Sequence, residues 1–159
     1  MAGFDGKFES AKQEWETPQK LFDLLNGEFN FTLDLAADKD NAKCNRFFDE
    51  NDDALTQDWT GVCWLNSPYG GKSANALKNW VKKAERESAK HGSTIVVLCP
   101  ARTNTKWWHE NCMKAKEIKF ICGRPKFGGA KHGLPQPLAV IVFSPHNQSG
   151  PTLSSLYLK

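Results

Sequence analysis

Between Val62 and Pro100 the chain spells out a strand, a helix and a second strand. VCWL, Val62 to Leu65, is a continuous apolar run of the kind buried on both faces of a sheet. Leu77, Trp80, Val81, Ala84 and Ser88 then fall at i, i+3, i+4, i+7 and i+11, one face of a helix. Ser73 is the candidate N-cap of that helix and His91-Gly92 its stop. STIVVLCP follows, a second apolar run that ends at Pro100. Two doubly buried strands joined by a helix lie parallel and need cover on both sides, which commits the chain to an α/β architecture.

The flanking segments extend this alternation. Thr17-Pro18 starts a helix, with Thr17 as cap and Pro18 in the first helical position, and Leu21, Phe22, Leu24 and Leu25 give it an apolar face before Gly27. FNFTLDLAAD alternates Phe29, Phe31, Leu33 and Leu35 and then turns at Ala36-Ala37, a strand entering a tight turn. Asn45 to Phe48 reads as a short strand, Thr105 to Ala115 as a helix, Glu117 to Cys122 as a strand and PLAVIVFSP as the last strand. About eight residues separate the first two strands, too few for a full helical crossover. The expectation is a mostly parallel twisted sheet with one antiparallel edge strand and a reduced helix between the first two strands. It forms one domain over 14–145, with a flexible arm at 1–13 and a tail at 146–159; 159 residues suit one such domain.

Composition narrows the class. No apolar stretch approaches the roughly 20 residues of a membrane span. The polar, acidic start MAGFDGKFESAKQEWE is unlike a signal peptide, so a cytoplasmic setting is expected. Five widely spaced cysteines without a C-x-x-C argue against a zinc site and a disulfide framework. Charge is unevenly spread. Residues 1 to 60 hold 6 Lys/Arg against 14 Asp/Glu, and residues 61 to 159 hold 15 against 4, so balances of −8 and +11 make up the overall +3. A basic half suits a polyanion partner, and equally a lysine-rich solvated surface.

In an open parallel sheet, ligands sit outside the carboxyl ends of the strands. Those ends are Asp34-Leu-Ala-Ala, Asn66-Ser-Pro-Tyr, Pro100-Ala-Arg and Gly123-Arg-Pro-Lys-Phe. Asn66 to Tyr69 is composed of turn residues, yet it follows a buried strand, where a site belongs. The lone pair of adenine's exocyclic amine is delocalised into the ring, which makes that nitrogen a weak nucleophile. A side-chain amide oxygen and a backbone carbonyl, each accepting one N–H, favour a tetrahedral nitrogen with an aimed lone pair. Pro68 would stiffen the loop, and Tyr69 would stack on a base swung out of its helix.

Six motifs in order, WETPQKLFDLL, FTLDLAADKDNAKC, ALTQDW, CWLNSPYG, VVLCPARTNTKWWH and GRPKF, resemble the phage-type DNA N6-adenine methyltransferases of the Dam family. The likeness runs from about Trp15 to Phe143 and implies a Rossmann-like fold that uses S-adenosylmethionine. By that resemblance Trp15, Thr17 and Pro18 line the cofactor site, and Asp34 with Ala36 and Ala37 forms the first cofactor motif. Asp58 receives the cofactor's adenine amino group, Asp49 is the candidate ribose-binding acid, and Asn66, Ser67, Pro68 and Tyr69 form the catalytic tetrapeptide. Ser67 replaces the usual first proline and keeps its backbone carbonyl; alanines replace a glycine-rich turn.

The implied partner is double-stranded DNA, bound by a monomer or homodimer, with Lys72, Arg102, Arg124 and Lys126 on the crevice rim as phosphate contacts. Without a separate recognition insert, sequence reading falls to loops 70–76, 101–107 and 124–137. RNA adenine or protein glutamine is the alternative substrate, and an inactive DNA-binding relative the alternative role. Trp107 and Trp108 read as core, His109 and His132 as surface. The phage resemblance implies a phage-encoded enzyme that protects viral DNA from restriction in a bacterial host.

Overall fold

The computed structural model describes residues 16–67, 76–127 and 136–158. Among them runs one six-stranded sheet: β1 (Leu33–Asp34), β2 (Val62–Leu65), β3 (Thr94–Pro100), β4 (Glu117–Cys122), β5 (Leu138–Phe143) and β6 (Thr152–Tyr157). The spatial order is β1-β2-β3-β5-β4-β6. Three α-helices accompany it among the described residues, α1 (Gln19–Phe29), α2 (Leu77–His91) and α3 (Lys106–Glu110). The chain is mixed α/β, and none of the described helices is long and apolar enough to cross a membrane.

Side-chain alternation divides the sheet between two cores. Cys63, Leu65, Ile95, Val97, Cys99, Ala139 and Ile141 face one side and meet Leu77, Trp80, Val81 and Ala84 of α2 with Trp107 and Trp108 of α3. Trp64, Val96, Leu98, Leu138, Val140 and Val142 face the other and meet Leu21, Phe22 and Leu25 of α1. Both tryptophans of α3 are therefore core. Helix α2 ends at Gly92, whose φ of 69° lets its N–H reach the Ser88 carbonyl at 2.9 Å, a left-handed turn that glycine makes without strain.

The sheet corrects one expectation. Its single antiparallel strand is not at an edge: β5 lies between β3 and β4 and is antiparallel to both. All six residues of Leu138–Phe143 are buried, and a strand apolar on both faces belongs inside a sheet. The edge is taken by β6, which pairs parallel to β4 through residues expected as a tail. Its sequence, TLSSLY, is largely exposed, as an edge permits.

The start of the domain also differs. Helix α1 continues through Gly27 to Phe29, and Asn30 closes it in the left-handed region with its N–H on the Asn26 carbonyl at 2.9 Å. Phe31 packs its ring on Phe22 and Trp64, at 5.4 Å from each, so Leu33–Asp34 alone enters the ladder. Asn45 to Phe48 reduces to one bridge, Asp34 to Phe47. The intervening loop is turned by Asp38, whose carboxylate accepts the N–H groups of Asp40 at 2.8 Å and Asn41 at 3.0 Å. The short spacing left no room for a helix here.

Burial also sorts the cysteines. Cys63, Cys99 and Cys112 are buried and Cys122 is exposed. Burial pushes the thiols of Cys63 and Cys99 up to about 12 and that of half-buried Cys44 up to about 11. Thiolate is the reactive form. Iodoacetamide at mildly alkaline pH, followed by peptide mass spectrometry, is expected to label Cys122 first and the three buried thiols only after denaturant is added. Early labelling of Cys99 would contradict this packing.

Candidate active site

β1 and β2 are parallel neighbours, with Asp34 opposite Trp64. Their carboxyl ends therefore emerge side by side, and the chain places Asp34 on one and Asn66 just beyond the other. One pocket gathers them with Glu16, Thr17, Ala36, Asn41, Lys43 and Trp64.

Asp34 is only 3% exposed. Its Oδ2 accepts the Lys43 N–H at 2.9 Å and its Oδ1 the Ala36 N–H at 3.3 Å. Burial holds the carboxyl above its ordinary pKa, while those two N–H groups and the Lys43 charge pull it partly back. The folded chain thus keeps this proton to a higher pH than the unfolded chain, and Asp34 withdraws stability as pH rises through that interval. Lys43 reaches the pocket wall with its Nζ 3.1 Å from Glu16 Oε1 and 2.9 Å from Gln19 Oε1. An ammonium, a carboxylate and a buried carboxyl group thus share one polar pocket.

Thr17 does not cap α1. The helix starts after Pro18 with no side-chain cap bond. The Thr17 hydroxyl instead accepts the Asn66 amide Nδ2 at 2.8 Å. Ser67 is buried, and its Oγ has no hydrogen-bond partner among the described residues.

The other expected residues fall in three groups. Ala36 lines the pocket, and Ala37 follows it, with its N–H on the Phe48 carbonyl at 3.0 Å. Asp49 leaves the same end of the sheet but is engaged in its own turn, its Oδ1 accepting from Asn51 and Asp52 at 2.9 and 3.0 Å. Asp58 is not brought to this site. It precedes β2, at the amino end of the sheet, with its carboxylate 3.8 Å from Lys90 Nζ and 3.5 Å from His91 Nε2. Its neighbour Trp59 is core.

Arg102 follows β3, where its guanidinium donates to Gln136 Oε1 at 3.4 Å, and Arg124 and Lys126 are exposed just after β4. All three stand at the carboxyl edge of parallel strands. Trp15, Pro68, Tyr69, Lys72, Ser73 and His132 lie outside the described residues, and the cap expected at Ser73 is not used: α2 begins at Leu77 with Ala76 in the cap position and no side-chain cap bond.

Sequence reading missed Glu16, Asn41, Lys43 and Trp64. Lys43 and Asn41 sit within DLAADKDNAKC, where the signal was chemical: a buried Asp34 requires donors, and a loop this short draws them from its own backbone. Glu16 and Trp64 carried no separate signal.

A sequence model of the family described as DNA N-6-adenine-methyltransferase (Dam) matches residues 7–140. The DNA N-6-adenine-methyltransferase of Haemophilus phage HP1 (strain HP1c1) is 36% identical over 116 residues, covering 71% of this chain and 64% of that protein. The protein of the same name from Escherichia phage T1 is 31% identical over 116 residues, covering 71% of this chain and 46% of its own length. The matched segment spans less than two thirds of either relative. With its motifs in order over most of its length, the chain belongs to the DNA N-6-adenine-methyltransferase (Dam) family.

Proposed function

We propose that this chain transfers a methyl group from S-adenosylmethionine to the N6 amine of an adenine swung out of duplex DNA, on a Rossmann-like methyltransferase domain. The observation that carries this reading is the convergence of Asp34 and Asn66, from adjacent parallel strands, on one polar pocket.

The pocket suits the cofactor chemically. Lys43 and Glu16 offer an ammonium and a carboxylate, the complement of an amino-acid zwitterion, and Ala36 and Ala37 let a ligand approach the backbone closely. The cofactor supplies an activated methyl on a sulfonium. Asn66 accepts one N–H of the adenine amine through its side-chain oxygen, and the Ser67 or Pro68 carbonyl accepts the other. The amine lone pair is then freed from the ring and aimed. The alkylated nitrogen is acidic enough to lose its proton without a strong base. Tyr69 stacks on the extruded base.

Tritium transfer from labelled S-adenosylmethionine to duplex DNA, RNA and a glutamine-containing protein tests the substrate class. Label in DNA adenine is expected. Label in RNA or protein instead would move the same chemistry to another amine or amide, and no cofactor affinity by calorimetry would leave only a DNA-binding role.

The basic half of the chain favours DNA, and Lys72, Arg102, Arg124 and Lys126 are the proposed phosphate contacts. Arg124→Ala combined with Lys126→Ala is expected to weaken duplex binding evenly across sequences. The slope of log affinity against log salt should fall by about two, one for each phosphate that is no longer neutralised. An unchanged slope would remove both residues from the interface. We place the enzyme in the cytoplasm of a bacterial cell, in keeping with its phage relatives.

A further inference from the structure

Thr17 and Asn66 are separated by 49 positions in sequence, yet the Thr17 hydroxyl and the Asn66 Nδ2 meet at 2.8 Å. The contact is sheltered, since Thr17 is 4% exposed. It is also braced. Pro18 restricts the backbone of Thr17 to extended conformations, and a β-branched side chain has few χ1 choices. Just beyond, Leu21, Phe22 and Leu25 anchor α1 in the core. The helix begins one residue later than a Thr17 cap would require, with Pro18 in the cap position, so the Thr17 hydroxyl is not used as a cap.

The choice of partner matters because a carboxamide is nearly symmetric in shape and opposite in polarity at its two ends. A half turn about χ2 exchanges oxygen and nitrogen with little change in volume. An amine about to be methylated needs the oxygen, and the amino end would set donor against donor. We propose that Thr17 is a positioning residue for Asn66: its hydroxyl fixes the plane of the carboxamide, and the observed arrangement, in which it accepts from Nδ2, is the one that turns the side-chain oxygen toward the substrate amine. This rests on the reading of Asn66 as the acceptor of that amine. It differs from the cofactor-lining role that the family resemblance implies for Thr17, since a cofactor contact would act on affinity and a positioning contact acts on the chemical step.

The test uses the whole chain with Thr17→Val, which keeps the shape and loses the hydroxyl, and Thr17→Ser, which keeps the hydroxyl. Single-turnover transfer from labelled S-adenosylmethionine to duplex DNA is measured at saturating cofactor, and S-adenosylhomocysteine affinity by calorimetry. Thr17→Val is expected to slow transfer by roughly 10²-fold, the scale of losing one aligned hydrogen bond to the reacting centre, with cofactor affinity within about threefold. Thr17→Ser is expected to recover most of the rate. Thr17→Val added to Asn66→Ala should cost little more than Asn66→Ala alone, since both remove one device. The side-chain amide signals of Asn66, identified by their loss in Asn66→Ala, should shift in Thr17→Val and return in Thr17→Ser without any substrate present.

A wild-type rate in Thr17→Val would overturn the proposal, as would a loss confined to cofactor affinity. If Thr17→Val loses its cooperative unfolding transition, the smaller Thr17→Ala takes its place with the same outcomes. Wild-type protein that labels no DNA adenine would instead refute the functional reading beneath it.

Discussion

Asn66→Ala is expected to reduce methyl transfer to adenine by at least about 10²- to 10³-fold in single turnover, while S-adenosylmethionine binding stays nearly intact. Asn66 lies just past β2 and enters the proposed chemistry only when its oxygen accepts the substrate N–H. Removing it trims one wall of the pocket proposed for the cofactor but leaves its other polar groups, Asp34, Lys43 and Glu16, in place. The stability cost should be small by comparison. The buried Thr17 hydroxyl loses its Asn66 donor, a penalty of about 1–3 kcal/mol. Asn66→Asp is an informative companion, because it keeps an acceptor and removes the donor to Thr17. Combined loss of cofactor binding and transfer in Asn66→Ala would assign the residue a structural role instead.

The second large effect is on stability and is centred on Trp59. Its side chain is fully buried, its indole N–H donates to the Ala54 carbonyl at 2.8 Å, and its ring stacks on Trp80 with centroids 5.9 Å apart. Its backbone N–H is held by the buried Glu87 carboxylate at 2.9 Å, and Lys83 Nζ lies 5.2 Å above its ring while pairing with the same carboxylate. One residue thus ties the segment before β2 to α2. Trp59→Ala is expected to cost about 3–5 kcal/mol, a large share of the roughly 5–15 kcal/mol that holds a domain folded. Urea titration followed by circular dichroism reads this directly. Trp59→Phe should recover part of the loss, since it fills much of the volume but forgoes the indole hydrogen bond to the Ala54 carbonyl, which keeps the Gln57 N–H at 3.1 Å. A cost below about 1 kcal/mol would show that α2 and its neighbouring loop hold together without this side chain.

The two effects mark where sequence reading succeeds and where it stops. VCWL, EIKFIC and the helix that begins at Leu77 were legible because a buried strand and an amphipathic helix each carry their own periodicity. Strand β5 was found, but its place was not, although a run apolar on both faces already argued for the interior of a sheet. Strand β6 gave no signal, since an exposed edge asks little of its side chains.

That Asn66 and Asp34 meet at one pocket was legible from the rule that ligands gather at carboxyl ends. The same rule argues against Asp58, which sits four residues ahead of β2 and so leaves from the amino end. The Thr17 hydrogen bond to Asn66 lay beyond reading of this kind, because it joins two segments that only the finished fold brings together. A Thr-Pro at the head of a helix pattern announces a cap, and nothing local reveals that the hydroxyl has been claimed elsewhere.

The place of β5 has a consequence for how this chain is made. The parallel strands β1, β2 and β3 are complete once Pro100 has been synthesised, but the free side of β3 must wait for Leu138–Phe143. At about 5–20 residues per second, the most apolar strand of the nascent protein has an open flank for several seconds. During that interval it is a template for any other extended apolar chain nearby. The lodged antiparallel strand is therefore the late-arriving closure of the sheet, and a chain interrupted before it is a candidate for aggregation or for capture by a chaperone.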